Sequence, residues 1–261
     1  LWPGPDGLTA LTAQGKKLWN LPEKGSLSSP AVDGTRVVVG ASNGDVIGVD
    51  VTNGTALWTT HLNGTSYGSV ALSPKDPHRA YQTVDDQLVA LDDDKVAWRA
   101  GLDEIVEVSP AVAPDGNVIV GGNAPYERAF SPAGKQLWRY DRQAETYSSP
   151  VVTEDGIAYF GDHDGVVTGI DVESGGVLAR YLGPTKRPKD NRSIGIWTST
   201  VIDAHHDVYW GTRSGHVRGV ASDGRELFDL DVDATVDSYP ALTDGLLVVG
   251  LTDGRLLGIA A

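Results

Sequence analysis

The chain has no cysteine and no methionine in 261 residues, and only three phenylalanines. Without cysteine there are no disulfides, thiolate nucleophiles, cysteine-held zinc sites or iron–sulfur clusters. Cationic charge is scarce: 21 Lys and Arg stand against 35 Asp and Glu, a formal charge of −14. A surface this acidic repels nucleic acid and anionic lipid, so neither is expected as a partner. No apolar run approaches the roughly 20 residues that cross a bilayer as a helix, and membrane insertion is not expected. The sequence opens at Leu1 with no initiator and no signal-peptide pattern. It therefore reads as a monomeric domain of a longer or processed chain.

What is plentiful is turn punctuation, with 32 glycines and 14 prolines, beside a 40% apolar content that can fill a core. One short pattern recurs along the chain. It reads Ser28-Ser29-Pro30-Ala31-Val32, Val108-Ser109-Pro110-Ala111-Val112, Ser148-Ser149-Pro150-Val151-Val152 and Ser238-Tyr239-Pro240-Ala241-Leu242. Gly68-Ser69-Val70-Ala71-Leu72 and Thr198-Ser199-Thr200-Val201-Ile202 are degenerate copies. The proline-equivalent positions are 30, 70, 110, 150, 200 and 240, a step of 40 with one insertion of ten residues at 183–192.

Each unit carries the same grammar after that pattern. A β-branched or aromatic run ends near glycine, as in Val37-Val38-Val39-Gly40 or Tyr209-Trp210-Gly211, and favours strand. A tight turn such as Ser42-Asn43-Gly44 or Asp164-Gly165 follows, then a third strand, a second turn and a fourth strand. That fourth strand carries Trp19, Trp58, Trp98, Trp138, Ala179 or Phe228. Four strands in about 40 residues is the signature of a β-propeller blade. The expected fold is all-β, a six-bladed propeller of four-stranded antiparallel blades.

The stretch from Gly48-Val49-Asp50 through Thr52-Asn53-Gly54 to Trp58 resembles the tryptophan-docking repeat of the quinoprotein-like (PQQ-like) propellers. Gly169-Ile170-Asp171 through Gly175 to Ala179 is a second copy, and Ser131 to Trp138 a looser third. The resemblance covers essentially the whole chain. Pyrroloquinoline quinone with calcium is the family's best-known chemistry, and many of its enzymes set a vicinal cysteine pair against the quinone. That pair is absent here and the calcium and catalytic positions find no residue-by-residue match, so no cofactor, no metal and no PQQ-dependent dehydrogenase activity are expected. The family also includes outer-membrane assembly lipoproteins and extracellular sensor parts of bacterial kinases. It implies a non-catalytic sensor or scaffold module in an extracellular or periplasmic setting.

The repeat units are about 25–64, 65–104, 105–145, 146–194, 195–234, and 235–261 completed by 1–24, all in a single domain 1–261. The ring is expected to close by pairing the strand around Trp19 with residues 255–260, which removes two exposed edges. Residues 8–12 and 256–260 both read as third strands of that last blade, so this closure displaces one of them, or else further blades exist.

Repetition also separates scaffold from function. The residue before the proline position is Ser29, Ser69, Ser109, Ser149, Ser199 or Tyr239, which is scaffold. Two residues earlier the position reads Leu27, Tyr67, Glu107, Tyr147, Trp197 and Asp237. In a propeller this place opens onto the channel mouth, so Tyr67, Glu107, Tyr147, Trp197 and Asp237 are the candidate ligand-binding residues for a protein partner or a small polar ligand. Aromatic faces with carboxylates suit cationic or hydroxyl-rich groups. A carbohydrate- or small-polar-ligand-active enzyme with its site at the same mouth is the alternative. Lys186, Arg187, Lys189 and Arg192 in the insertion reverse the local charge and form a candidate docking loop for an acidic partner or anion. His205-His206 and Asp162-His163-Asp164-Gly165 read as turns.

Overall fold

The computed structural model describes residues 1–23, 25–34, 36–142, 144–183, 194–243 and 245–260. Among these residues the elements are all β-strands, arranged in seven antiparallel sheets. The first holds β1 (Trp2–Gly4), β2 (Gly7–Leu11) and β3 (Lys17–Leu21). The second holds β4 (Ala31–Val32), β5 (Arg36–Gly40), β6 (Asp45–Asp50) and β7 (Ala56–His61). The third holds β8 (Ala71–Leu72), β9 (Arg79–Val84), β10 (Gln87–Asp92) and β11 (Lys95–Gly101). The fourth holds β12 (Ala111–Val112), β13 (Val118–Val120), β14 (Tyr126–Phe130) and β15 (Gln136–Asp141). The fifth holds β16 (Val151–Val152), β17 (Ile157–Gly161), β18 (Val166–Asp171) and β19 (Val177–Leu182). The sixth holds β20 (Val201–Ile202), β21 (Val208–Gly211), β22 (His216–Val220) and β23 (Glu226–Asp231). The last holds β24 (Ala241–Thr243), β25 (Leu246–Gly250) and β26 (Leu256–Ala260). The chain divides into two compact units, Leu1–Val120 with Phe130–Lys135, and Gly121–Ala129 with Gln136–Ala261.

The repeated residues explain the repeated strands. Each proline-equivalent residue stands directly before the short first strand, where a missing N–H costs no ladder bond. Two residues before the proline, Ser28, Ser148 and Ser238 accept through Oγ the amides of Gly40, Gly161 and Gly250 at 3.3, 3.1 and 2.9 Å. Serine and glycine thus recur together because one satisfies the other at the end of the second strand.

The fourth strand is placed by its large ring. Trp58 pairs opposite Gly48, Trp98 opposite Ala90 and Phe228 opposite Gly219, and a bulge follows each of these third-strand positions. A small residue there leaves room for the ring to lie flat on the sheet. The ring then reaches the following sheet: the Nε1 of Trp19, Trp98 and Trp138 donates to the carbonyls of Val51, Pro132 and Val172 at 2.9, 2.9 and 2.7 Å. Gly54, Gly134 and Gly175, all at positive φ, lie under the same three indoles. A side chain at any of them would collide with the tryptophan as well as strain the turn.

Apolar side chains from adjacent sheets build the core. In the first unit Leu8, Ala10 and Trp19 pack on Val37, Val39, Ile47 and Val49. In the second, Tyr159 and Val167 pack with Ile196, Val208 and Trp210, all of them buried.

The two ends differ from the expectation. Residues 1–21 form a sheet with its own second-, third- and fourth-type strands, and 241–260 form another with first-, second- and third-type strands. Neither 8–12 nor 256–260 is displaced, because β2 is held on both sides by β1 and β3 while β26 pairs with β25. The composite blade of 235–261 plus 1–24 therefore gives way to two separate three-stranded sheets.

Candidate functional site

The residues singled out before each first strand behave differently in the two units. In the first unit Tyr67 is 57% exposed and Glu107 is exposed, each presented to solvent. In the second unit Tyr147, Trp197 and Asp237 are brought into one continuous ladder. The Tyr147 and Trp197 rings lie 5.1 Å apart, and both contact the His163 imidazole, at 5.0 and 5.1 Å. His163 stacks on Trp197 with 22° between planes. The Arg213 guanidinium sits 3.9 Å from the centre of the Trp197 ring, and its Nε lies 3.3 Å from Asp237 Oδ1. Leu27 instead joins the core of the first two sheets as a partly buried residue.

His163 and Arg213 were not expected in the site. They hold the same place in the turn between second and third strands: the amide of His163 donates to Glu145 O, and that of Arg213 to Gly195 O. Ser42 and Thr252 occupy the same place in other sheets, donating to Ser26 O and Thr235 O. This position changes chemical type from repeat to repeat, the same signal that marked Trp197. In the sequence this signal is masked, because the glycine alone accounts for the turn.

The ladder has unused polar capacity. Trp197 Nε1 and His163 Nε2 are buried without a hydrogen-bond partner among the described residues. Burial holds the His163 imidazole below its ordinary value, with the Arg142 and Arg213 charges adding to the effect and Glu145 and Asp164 opposing it. At neutral pH it is therefore an uncharged aromatic surface. Arg213 and Asp237, each about one third exposed, supply a cation and an anion at the edge of that surface.

Behind the ladder lies a buried ion pair that the sequence reading also missed. Glu127 is fully buried, and its Oε1 stands 3.7 Å from Arg142 Nη1. Among the described residues neither carboxylate oxygen has a hydrogen-bond partner. Burial pushes the Glu127 carboxyl up to about 7, against the pull of Arg142. Arg142 Nη2 lies within hydrogen-bond reach of the carbonyls of Gly122, Ala124 and Tyr126, tying down the turn before β14.

Other expectations have plain outcomes. Lys186, Arg187, Lys189 and Arg192 lie outside the described residues. His205 and His206 stand in a turn, His206 with a positive φ of 64°. That turn borders a cleft of about 360 Å³ which Thr153, Glu154, Asp203 and His206 help to line, away from the ladder residues. Among the described residues no cluster of three or more His, Asp or Glu could hold a metal ion.

Repeated antiparallel sheets, three of them fastened to the next by an indole on a glycine turn, define a protein of the quinoprotein-like β-propeller class. A family model described as outer membrane protein assembly factor BamB matches residues 3–84 and 68–261, and the chain belongs to that family. A curated relative, outer membrane protein assembly factor BamB of Yersinia pestis, is 24% identical over 274 residues, covering 93% of this chain. The chain spans 66% of that relative's length. The crystal structure of BamB from Moraxella catarrhalis superposes with a TM-score of 0.76 at 17% identity, over 89% of this chain and 69% of that one.

Proposed function

We propose that this chain is a non-catalytic propeller domain that binds a protein partner during outer membrane assembly, in a periplasmic or extracellular setting. Family membership supports the class of work, since the matching model and both relatives carry the name of an assembly factor. The observation that carries the site is the ladder Tyr147–His163–Trp197–Arg213–Asp237. Partly exposed aromatic rings beside Arg are the residue types that dominate binding energy at protein interfaces. Tyr67 and Glu107 hold the same repeat position in the first unit and form a candidate surface of their own there. In this reading the domain acts as a monomer.

The test is site-specific photo-crosslinking in cells that produce the protein. A photoreactive residue at Tyr67 or Asp237 should give discrete adducts with an envelope protein. Adducts from the outer-strand position Leu57, with none from 67 or 237, would place the binding surface elsewhere and end this reading.

A further inference from the structure

The tryptophan ties contain a gap. Trp138 of the fourth sheet covers Gly175 of the fifth, as Trp19 covers Gly54 and Trp98 covers Gly134. The matching residue of the fifth sheet is Ala179 in β19, paired opposite Gly169 of β18. The turn it should cover is Ser222-Asp223-Gly224, between β22 and β23. Gly54 is buried and Gly134 and Gly175 are half-buried under their indoles, whereas Gly224 is exposed. A Cβ built on Gly224 meets nothing within 4 Å. Tyr159 partly compensates by lying over Gly169, but it does not reach the next turn. In the sixth sheet Phe228 keeps a ring over Gly219, so that position is not vacated in the same way.

The strand beside this gap exposes more large apolar side chains than the other outer strands. Like them, β19 lies at the edge of its sheet, with no neighbour on its far side among the described residues. Val177, Leu178 and Leu182 on it are 44, 59 and 62% exposed, and Arg180 is its one charged residue. An unpaired, largely apolar edge is a template for another strand, which proteins normally guard with charge or cover. Asp207 Oδ1 accepts the Ser222 amide at 2.9 Å, and Asp223 lies in the same turn. Carboxylates thus border the gap.

We propose that a partner protein adds an extended segment to the free edge of β19 and seats an aromatic side chain over Gly224, in the place Ala179 leaves open. The chain's own ties describe the occupant. Each supplies a flat ring on a turn glycine and an N–H to the carbonyl at the head of that turn, which here is Ser222. The aspartates select a basic residue next to the aromatic one. This surface lies on the outer strand rather than on the ladder, so its test and the crosslinking test fail independently.

A capped, fluorescein-labelled peptide with the sequence of residues 135–141, Lys-Gln-Leu-Trp-Arg-Tyr-Asp, is a suitable probe because its tryptophan already fills this kind of dock. Fluorescence anisotropy should show saturable binding to the wild-type protein. Replacing the peptide tryptophan by alanine should weaken it about tenfold, the scale of a well-seated aromatic contact. Ala179→Trp fills the dock from within and should weaken binding at least as much, with an unchanged or higher Tm. Leu178→Lys, on the exposed edge, should also weaken binding and serves if Ala179→Trp does not fold. Equal affinity for wild-type and Leu178→Lys proteins, or no binding at millimolar peptide, overturns the proposal. So does a wild-type dimer in sedimentation that Leu178→Lys abolishes, since a second copy would then be the occupant.

Discussion

Glu127 and Arg142 face each other 3.7 Å apart in the interior, at two positions where the neighbouring sheets put a pair of apolar side chains. Glu127 stands two residues before the small third-strand residue Ala129, as Val46 stands before Gly48, Leu88 before Ala90 and Val217 before Gly219. Arg142 donates its amide to the turn carbonyl of Pro125, as Leu62, Leu102 and Val232 do to Gly44, Asp86 and Gly215. Val46 packs with Leu62, Leu88 with Leu102 and Val217 with Val232. One repeat has therefore exchanged both members of a buried hydrophobic pair for an acid and a base. Desolvating two charges offsets most of their attraction, so such a pair adds little stability.

The exchange should be reversible as a pair and damaging singly. Glu127→Leu alone leaves an uncompensated buried guanidinium and should lower stability by about 3–5 kcal/mol. Glu127→Leu with Arg142→Leu restores the pattern of the third sheet and should be within about 1 kcal/mol of wild type or more stable. Urea unfolding of both single variants and the double variant measures this cycle. A double variant as unstable as the worse single one would show that the pair carries stability of its own.

Stability should also depend on pH through Glu127. Its folded value, about 7, lies above the ordinary 4.5 because burial favours the neutral acid. Between those values the unfolded chain has released a proton that the fold still holds, so stability falls as pH rises. The contribution is fully present below about 4.5 and is lost as pH passes through about 7. His163 runs the other way, since its folded value is lowered and its contribution is lost on acidification. Comparing wild type with Glu127→Gln at pH 5 and pH 8 isolates the carboxyl: the variant should lose the excess fall in stability at the higher pH.

The ladder makes a separate demand. If it serves binding, Trp197→Ala and Asp237→Asn should each weaken partner binding with little loss of stability. For Trp197 the loss should be about threefold to tenfold, from an aromatic contact of roughly 0.5–1.5 kcal/mol beyond area. Thermal melts beside binding curves decide it. Lowered Tm with unchanged binding for both variants would make these residues packing and nothing more.

The ties between sheets can be measured directly. Trp138→Ala removes the ring over Gly175 and the 2.7 Å bond to Val172 O. A loss of about 2–4 kcal/mol is expected for a partly buried indole. Trp138→Phe keeps much of the area and should recover more than half of it. Chemical denaturation with matched controls at Trp58 gives the comparison.

The strands, their order and the tryptophan positions were legible because repetition averages out local ambiguity: Gly48 and Trp58 predict what Ala90 and Trp98 do. The ends were not, because a count of repeats cannot tell a shared blade from two partial ones; that needed the pairing of β2 with β1. Within the site, Tyr147, Trp197 and Asp237 were legible from variation at a fixed position. His163 and Arg213 carried the same signal in a turn, where glycine seemed to explain everything. Glu127 and Arg142 were legible in principle, as lone charges in columns of valine and leucine, but they are close only through third-strand and loop geometry.

The indole ties also point one way along the chain. Trp19 bonds to Val51, Trp98 to Pro132 and Trp138 to Val172, each reaching forward to residues made later. During synthesis a sheet thus leaves the ribosome with its largest ring uncovered, and stays so until some 30 further residues have emerged. Where these ties exist the chain locks from its beginning toward its end, the later sheet acting as the clasp for the one before it. An interruption before a clasping sheet emerges leaves one open clasp at the growing edge and the earlier ones shut.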